Sequence, residues 1–199
     1  MRAGLNLIAM SVAGAATVLG GCQQSTGVMR VDPEMVTDVN PRFNDTDARQ
    51  FAQELSDDIL SRPWIDIWMR ENGGKRPIVF LGNIRNDTEE YIETDLFTSQ
   101  IQRTMINSGR VRVKAEREAR AELRDERLDT KYNDPATIKA VARELNADFA
   151  LVGKVIQVRQ ESANRRHWVN FYQANMELIN VETAEVVWSG IKEIKKVGS

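Results

Sequence analysis

The chain of 199 residues holds one cysteine, Cys22, and one histidine, His167. A single thiol excludes an intramolecular disulfide, and the Cys and His sets that bind structural or catalytic zinc cannot be assembled within one chain. No metal and no cofactor are expected. Charge of one sign is also missing. Lysine and arginine total 27 against 29 aspartate and glutamate, a formal net charge of −2. The electrostatic footprint of a nucleic-acid binder is therefore absent, and no nucleic-acid partner is expected. An acidic or basic tail is lacking too. The chain is long enough to bury a core of one domain without covalent staples.

What is present begins with an apolar stretch, LNLIAMSVAGAATVL at residues 5–19, behind the positive charge of Arg2. It is too short to span a bilayer comfortably as a mature helix, and it ends in small residues, the layout of a secretory signal. Leu19, Gly20 and Gly21 directly before Cys22 resemble the bacterial lipobox, whose cysteine is joined to diacylglycerol and becomes the mature N-terminus. The competing readings of Cys22 are a buried spectator and a nucleophile. A nucleophile needs a base and a folded pocket, and the flanks GGCQQSTG supply neither. Several acyl chains on one residue hold a membrane firmly where one holds marginally. Gln23 is not the Asp that resembles an inner-membrane retention signal, so the expected address is the periplasmic face of the outer membrane.

Three segments follow from these readings: a signal peptide at 1–21, a lipidated N-terminus with a flexible tether at 22–45, and a globular domain at 46–199. The tether, with Gly27, Pro33 and Pro41 and no sustained period, spans at most about 70 to 80 Å when extended. The domain opens with a helix capped by Thr46 that carries Phe51, Leu55 and Ile59 on one face. Pro63 opens a second helical segment presenting Trp64, Ile67 and Trp68, stopped by Asn72, Gly73 and Gly74. The paired tryptophans read either as a partner-binding patch or as a core face, and aromatics at helical spacing usually pack inward.

Ile78 to Ile84 form a nearly continuous apolar strand, which predicts a central position covered on both faces. Glu89, Glu90, Glu93 and Asp95 crowd the start of a helix with Leu96, Phe97, Ile101 and Met105 inward, and acids there complement the helix dipole. A short strand at RVRV leads into a helix laced with opposite charges, Arg117 to Arg127, with a solvated face. Asp134 and Pro135 open a further helix with Ile138, Val141, Ala142 and Leu145 inward. Three strands follow, DFALVGKVIQV, WVNFYQANMELINV and EVVWSGIKEI, joined by the loop RQESANRRH and the tight turn VETAE. The predicted fold class is α+β: a small, mostly antiparallel sheet flanked by helices, preceded by the signal peptide and tether.

No catalytic constellation survives inspection. Ser189 and Lys192 match S-x-x-K, with Ser162-Ala163-Asn164 as an S-x-N, the set of a penicillin-binding transpeptidase. Ser189 lies in a strand, however, where residues three apart point to opposite faces. His167 sits beside Arg165 and Arg166 and reads as an exposed loop residue. ENGGKRP lacks the spacing of a phosphate loop. Asn44-Asp45-Thr46 and Asn86-Asp87-Thr88 fit a glycosylation pattern, but in a bacterial lipoprotein capping or turn formation accounts for them. The chain is not expected to be an enzyme.

RPIVFLGNIRNDTEEYIETDLFTSQIQRTMINSGRVRV, ELNADFALVGKV and ELINVETAEVVWSG together resemble the LpoB-type outer-membrane lipoproteins that activate class A penicillin-binding proteins. The resemblance covers roughly Lys75 to Lys196. It implies a monomeric protein, anchored by its N-terminal lipid in the outer membrane, that binds a bifunctional peptidoglycan synthase and stimulates peptidoglycan synthesis. The best-known members have a long proline-rich tether, and this chain has a short one. Their contact residues do not transfer one by one. The candidate partner contact is the loop with Arg165, Arg166 and Trp168, residue types enriched in interface hot spots, and a solvated hairpin loop is its stronger competitor. A second function class is a structural or accessory subunit of an outer-membrane assembly or secretion complex, since curli-secretion lipoproteins resemble the same fold. Such a pore needs membrane-spanning strands, and no spare pair stands outside the expected sheet.

Overall fold

The computed structural model describes residues 30–114, 135–163 and 167–198. Of an N-terminal unit, Met1–Pro33, only residues 30–33 are described, and they are exposed. The folded unit begins at Glu34. The charge-laced stretch Arg117 to Arg127 lies outside the described residues.

Helix α1 runs Asp45–Ser61. Its cap is Asn44 rather than Thr46, which is buried inside the first turn. The Asn44 side chain accepts from the Asp47 N–H at 3.1 Å and Asp47 Oδ2 accepts from the Asn44 N–H at 2.8 Å, so two orphan donors are satisfied reciprocally. Phe51, Leu55 and Ile59 are buried along one face, as their four-residue spacing predicts. Helix α2, Trp64–Glu71, follows Pro63 directly. Trp64 and Ile65 are buried, but Ile67 is 41% exposed. The helix rests on one ring: Trp64 and Trp68 meet Phe149 edge-on at 5.1 and 5.0 Å. That contact selects positions 64, 65 and 68 and turns Ile67 outward. Gly73 and Gly74 take positive φ, and the Gly74 N–H donates to Met69 O at 2.7 Å, closing a Schellman turn.

The sheet of five strands has the order β2-β1-β3-β4-β5, with β1 Ile78–Asp87, β2 Arg112–Lys114, β3 Phe149–Glu161, β4 Trp168–Asn180 and β5 Val186–Gly198. The long ladders β3–β4 and β4–β5 are antiparallel, whereas β1 runs parallel to both its neighbours. As its continuous apolar run predicts, β1 is internal and covered on both sides. Val79 and Leu81 join the larger core with Phe51, Phe97, Phe149 and Met176, while Phe80 joins a smaller one with Ile138, Val141 and Ala142. Helix α3, Asp95–Asn107, lies with α1 on the larger side, and helix α4, Pro135–Glu144, covers the smaller. Each fully buried Phe or Ile contributes about 1.5 to 3 kcal/mol, so the two layers rather than helix propensity hold the elements.

Three further local readings change. Only Asp95 lies in the first turn of α3; Glu89 and Glu90 precede the helix, and Glu90 is used in the interior network described below. Leu96 is 51% exposed, leaving Phe97, Ile101 and Met105 as the inward face. The β3–β4 connection is shorter than RQESANRRH, because Arg159, Gln160 and Glu161 pair with Asn170, Val169 and Trp168. Arg159, Gln160 and Glu161 are polar and exposed, so no hydrophobic alternation marks them as strand.

Candidate interaction surface

Of the residues nominated from sequence, Cys22, Arg165 and Arg166 lie outside the described residues. Trp168 opens β4 and is half-buried. A side chain at Gly198 would collide with the Trp168 indole and with Pro41 Cγ at 2.8 Å, so Trp168 packs against the strand end and against the segment before α1. His167 is exposed; its N–H donates to Ser162 Oγ at 3.0 Å.

Residues 38–44, within the stretch read as tether, belong to the folded unit and lie against α1, β4 and β5. Phe43 stacks obliquely on Phe51 at 5.3 Å and edge-on to Tyr172 at 5.5 Å. Asn170 Nδ2 donates to Pro41 O at 2.9 Å, and Lys196 Nζ donates to Arg42 O at 3.1 Å. Lys196 also bridges two carboxylates, Asp38 at 2.6 Å and Asp47 at 2.7 Å. Its side chain is 10% exposed and that of Asp47 only 4%. Burial works against the Lys196 ammonium, and its hydrogen bonds to Asp38 and Asp47 outweigh that, holding its pKa above 10.5. Sequence reading missed this clamp. The signal was Asn44-x-x-Asp47, a capping box whose acid is free to accept a third partner.

A second network sits beside it. The Tyr172 hydroxyl donates to Glu90 Oε1 at 2.8 Å, Gln157 Nε2 donates to the same oxygen at 3.0 Å, and the Phe43 N–H donates to Glu90 Oε2 at 3.1 Å. Burial, then the Glu90 carboxylate, push the Tyr172 phenol well above its ordinary pKa. A phenol held protonated this way is a positioning group and a poor nucleophile. Ser189 is exposed between buried Trp188 and Gly190, while Lys192 is paired to Glu54 at 2.6 Å on the α1 side, so the S-x-x-K pair is split across the sheet. Among the described residues, no group of three His, Cys, Asp or Glu side chains converges to hold a metal. Among them, no helix is long and apolar enough to cross a membrane.

The arrangement is that of a surface built to hold its shape, with polar side chains tied to backbone. A family model described as peptidoglycan-synthase activator LpoB matches residues 47–194, the folded unit nearly end to end. The chain belongs to the LpoB family. Among solved structures it is similar to the LpoB C-terminal domain from Escherichia coli, at 18% identity, covering 59% of this chain and 82% of that one with a TM-score of 0.44. The NMR structure of E. coli LpoB matches at 16% identity over 99% of this chain and 88% of that one, TM-score 0.46. Lipoprotein GNA1162 from Neisseria meningitidis matches at 14% over 62% and 84%, TM-score 0.46. Comparison with curated proteins finds no match.

The stretches that carried the LpoB resemblance now have a physical reason. In GNIRNDT, Asn86 Oδ1 accepts from the Thr88 N–H at 3.0 Å and hydroxyl at 2.7 Å, and Asn86 Nδ2 donates to Glu90 O at 2.8 Å. That turn aims Glu90 inward and leaves Tyr91 90% exposed. In the β4–β5 turn, Asn180 Oδ1 accepts from the Glu182 and Thr183 N–H groups at 2.9 and 3.0 Å. Both are Asx-type turns, and both set the direction of the chain leaving a strand.

Proposed function

We propose that this chain is an outer-membrane-anchored periplasmic lipoprotein that binds a class A penicillin-binding protein and raises its peptidoglycan-synthesising activity. The observation that carries the reading is the family match across residues 47–194, which takes in β1 to β4 and β5 as far as Ile194. The lipobox-like LGGC before the tether supports the anchor. An activator without reacting groups works by differential affinity: it binds an active state of the synthase more tightly than an inactive one, and a tenfold preference amounts to about 1.4 kcal/mol. Partner contacts, not chemistry, are then what the surface supplies.

Cross-linking in intact envelopes followed by pull-down of this protein is expected to recover a class A penicillin-binding protein. Glycan polymerisation by that synthase is expected to rise severalfold when the full chain is added in detergent. Recovery of no such synthase, with polymerisation unchanged, would remove the reading.

A further inference from the structure

The last strand of the sheet, β5, has a neighbour on one side only among the described residues. Its open edge runs for Val186–Gly198, roughly 40 Å at about 3.3 Å per residue; the register with β4 shifts at Val187, and from Trp188 onward every second backbone N–H and C=O faces outward. Three grooves follow one another along this edge. The first, of about 500 Å³, is walled by Ile67, Trp68, Phe149, Val187 and Trp188. The second, of about 560 Å³, lies between α1 and the strand and is lined by Glu54, Asp57, Asp58, Ser61, Gly190 and Lys192. The third, of about 640 Å³, reaches the far end with Asp38, Pro41, Trp168, Lys195 and Val197.

The grooves exist because α1 overhangs the strand while β5 is notched beneath it. Gly190 has no side chain, and the Trp188 ring lies across the space one would fill, held there by its Nε1–H donating to Asp58 Oδ2 at 2.7 Å. The Trp188 ring thus separates an aromatic first groove from an acidic second one. In the second, Glu54 is paired with Lys192 and Asp58 with Arg62, while Asp57 is exposed and, among the described residues, accepts only from the Gln53 amide. One negative charge is left over, so the middle of the edge favours a basic group.

We propose that the free edge of β5 receives an extended segment of a partner protein as a sixth strand, with a bulky apolar side chain between Trp68 and Trp188 and a Lys or Arg beside Asp57. Main-chain hydrogen bonds supply affinity in such an addition and pockets for alternate side chains supply specificity. Trp188, Gly190 and Lys192 share one face of β5, so the partner's apolar and basic residues lie two or four positions apart. The inference deepens the proposed function, since it says how the partner is held.

Two arms test it separately. Linear twelve-residue peptides displayed on phage are selected on the full chain in detergent, and amide exchange of β5 is followed with a synthesised winner and with the synthase. Winners are expected to carry an apolar and a basic residue at the stated spacing, and to slow exchange at alternate β5 amides at least tenfold. The exposed-site variants Ile67→Glu and Asp57→Lys are expected to weaken binding tenfold or more with an unchanged melting temperature. No enrichment, bound peptides or synthase that leave β5 exchange unchanged, or a dimer that already protects β5 overturns the proposal. A peptide result as expected beside a synthase that does not bind removes the function reading alone, whereas a bound synthase with β5 unprotected removes only the edge.

Discussion

Tyr172 carries the clearest single-residue consequence. Its ring is fully buried against Phe43, and its hydroxyl is committed to Glu90. Burial and the carboxylate raise its pKa above the ordinary 10.0. A group raised in the folded state contributes its full stability below the unfolded value and loses it as pH climbs toward the folded one. Lys196, raised from 10.5, has the same sign. Thermal melts across pH 7 to 11 are therefore expected to fall steeply above about pH 10. Tyr172→Phe keeps the ring and removes the titration, so its alkaline slope should be shallower than that of the parent; identical slopes would assign the effect elsewhere. That Tyr172 faces inward was legible from the alternation of Tyr172, Ala174, Met176 and Leu178 in β4. That it meets Glu90 was not, because the two are joined only through the fold, and Glu90 read equally well as a helix-dipole acid.

At the scale of elements, the segment 38–44 is fastened to β4 and β5 by the Lys196 ammonium, the Asn170 amide and the contact of Phe43 with Tyr172. The two halves of the Lys196 bridge differ in burial and so in energetic weight. Asp38 is half exposed, and an exposed pair contributes roughly 0 to 1 kcal/mol. Asp47 is buried at the start of α1; stripping it of its cation is expected to cost about 3 kcal/mol. In urea unfolding, Lys196→Met should thus lower stability far more than Asp38→Asn, and adding Asp47→Asn to Lys196→Met should recover much of the loss. Equal effects of the first two variants would contradict the burial argument. A polar, proline-containing stretch carries no hydrophobic period, so no apolar pattern marks 38–44 as docked; its partners on β4 and β5 lie over a hundred residues away.

For the whole molecule, a folded unit that begins at Glu34 leaves residues 23–33 between it and the proposed lipid site. That stretch of about 11 residues reaches roughly 40 Å when fully extended, less than the sequence alone suggests. Reach is then a property of the fold as much as of tether length. Under the proposed anchoring, Cys22→Ser should abolish lipid labelling and move the protein to the soluble fraction, while circular dichroism and melting temperature stay those of the parent. Retained labelling would place the lipid elsewhere or nowhere.

Sequence by itself determined the α+β class, the central place of β1, the inward faces of α1 and α4, and the family, because each rests on periodicity, turn chemistry or ordered motifs within short spans. Only the tertiary structure decided which polar residues meet: Lys196 with Asp38 and Asp47, Glu90 with Tyr172 and Gln157, Trp188 with Asp58 across the notch at Gly190. The physical reason is that burial pattern is local and periodic, whereas a hydrogen bond between residues far apart in the chain is set by the register of strands and the overhang of helices. Sheet order belongs to the same class. Among the described residues it leaves β5 open on one side, and no window of sequence shows an edge.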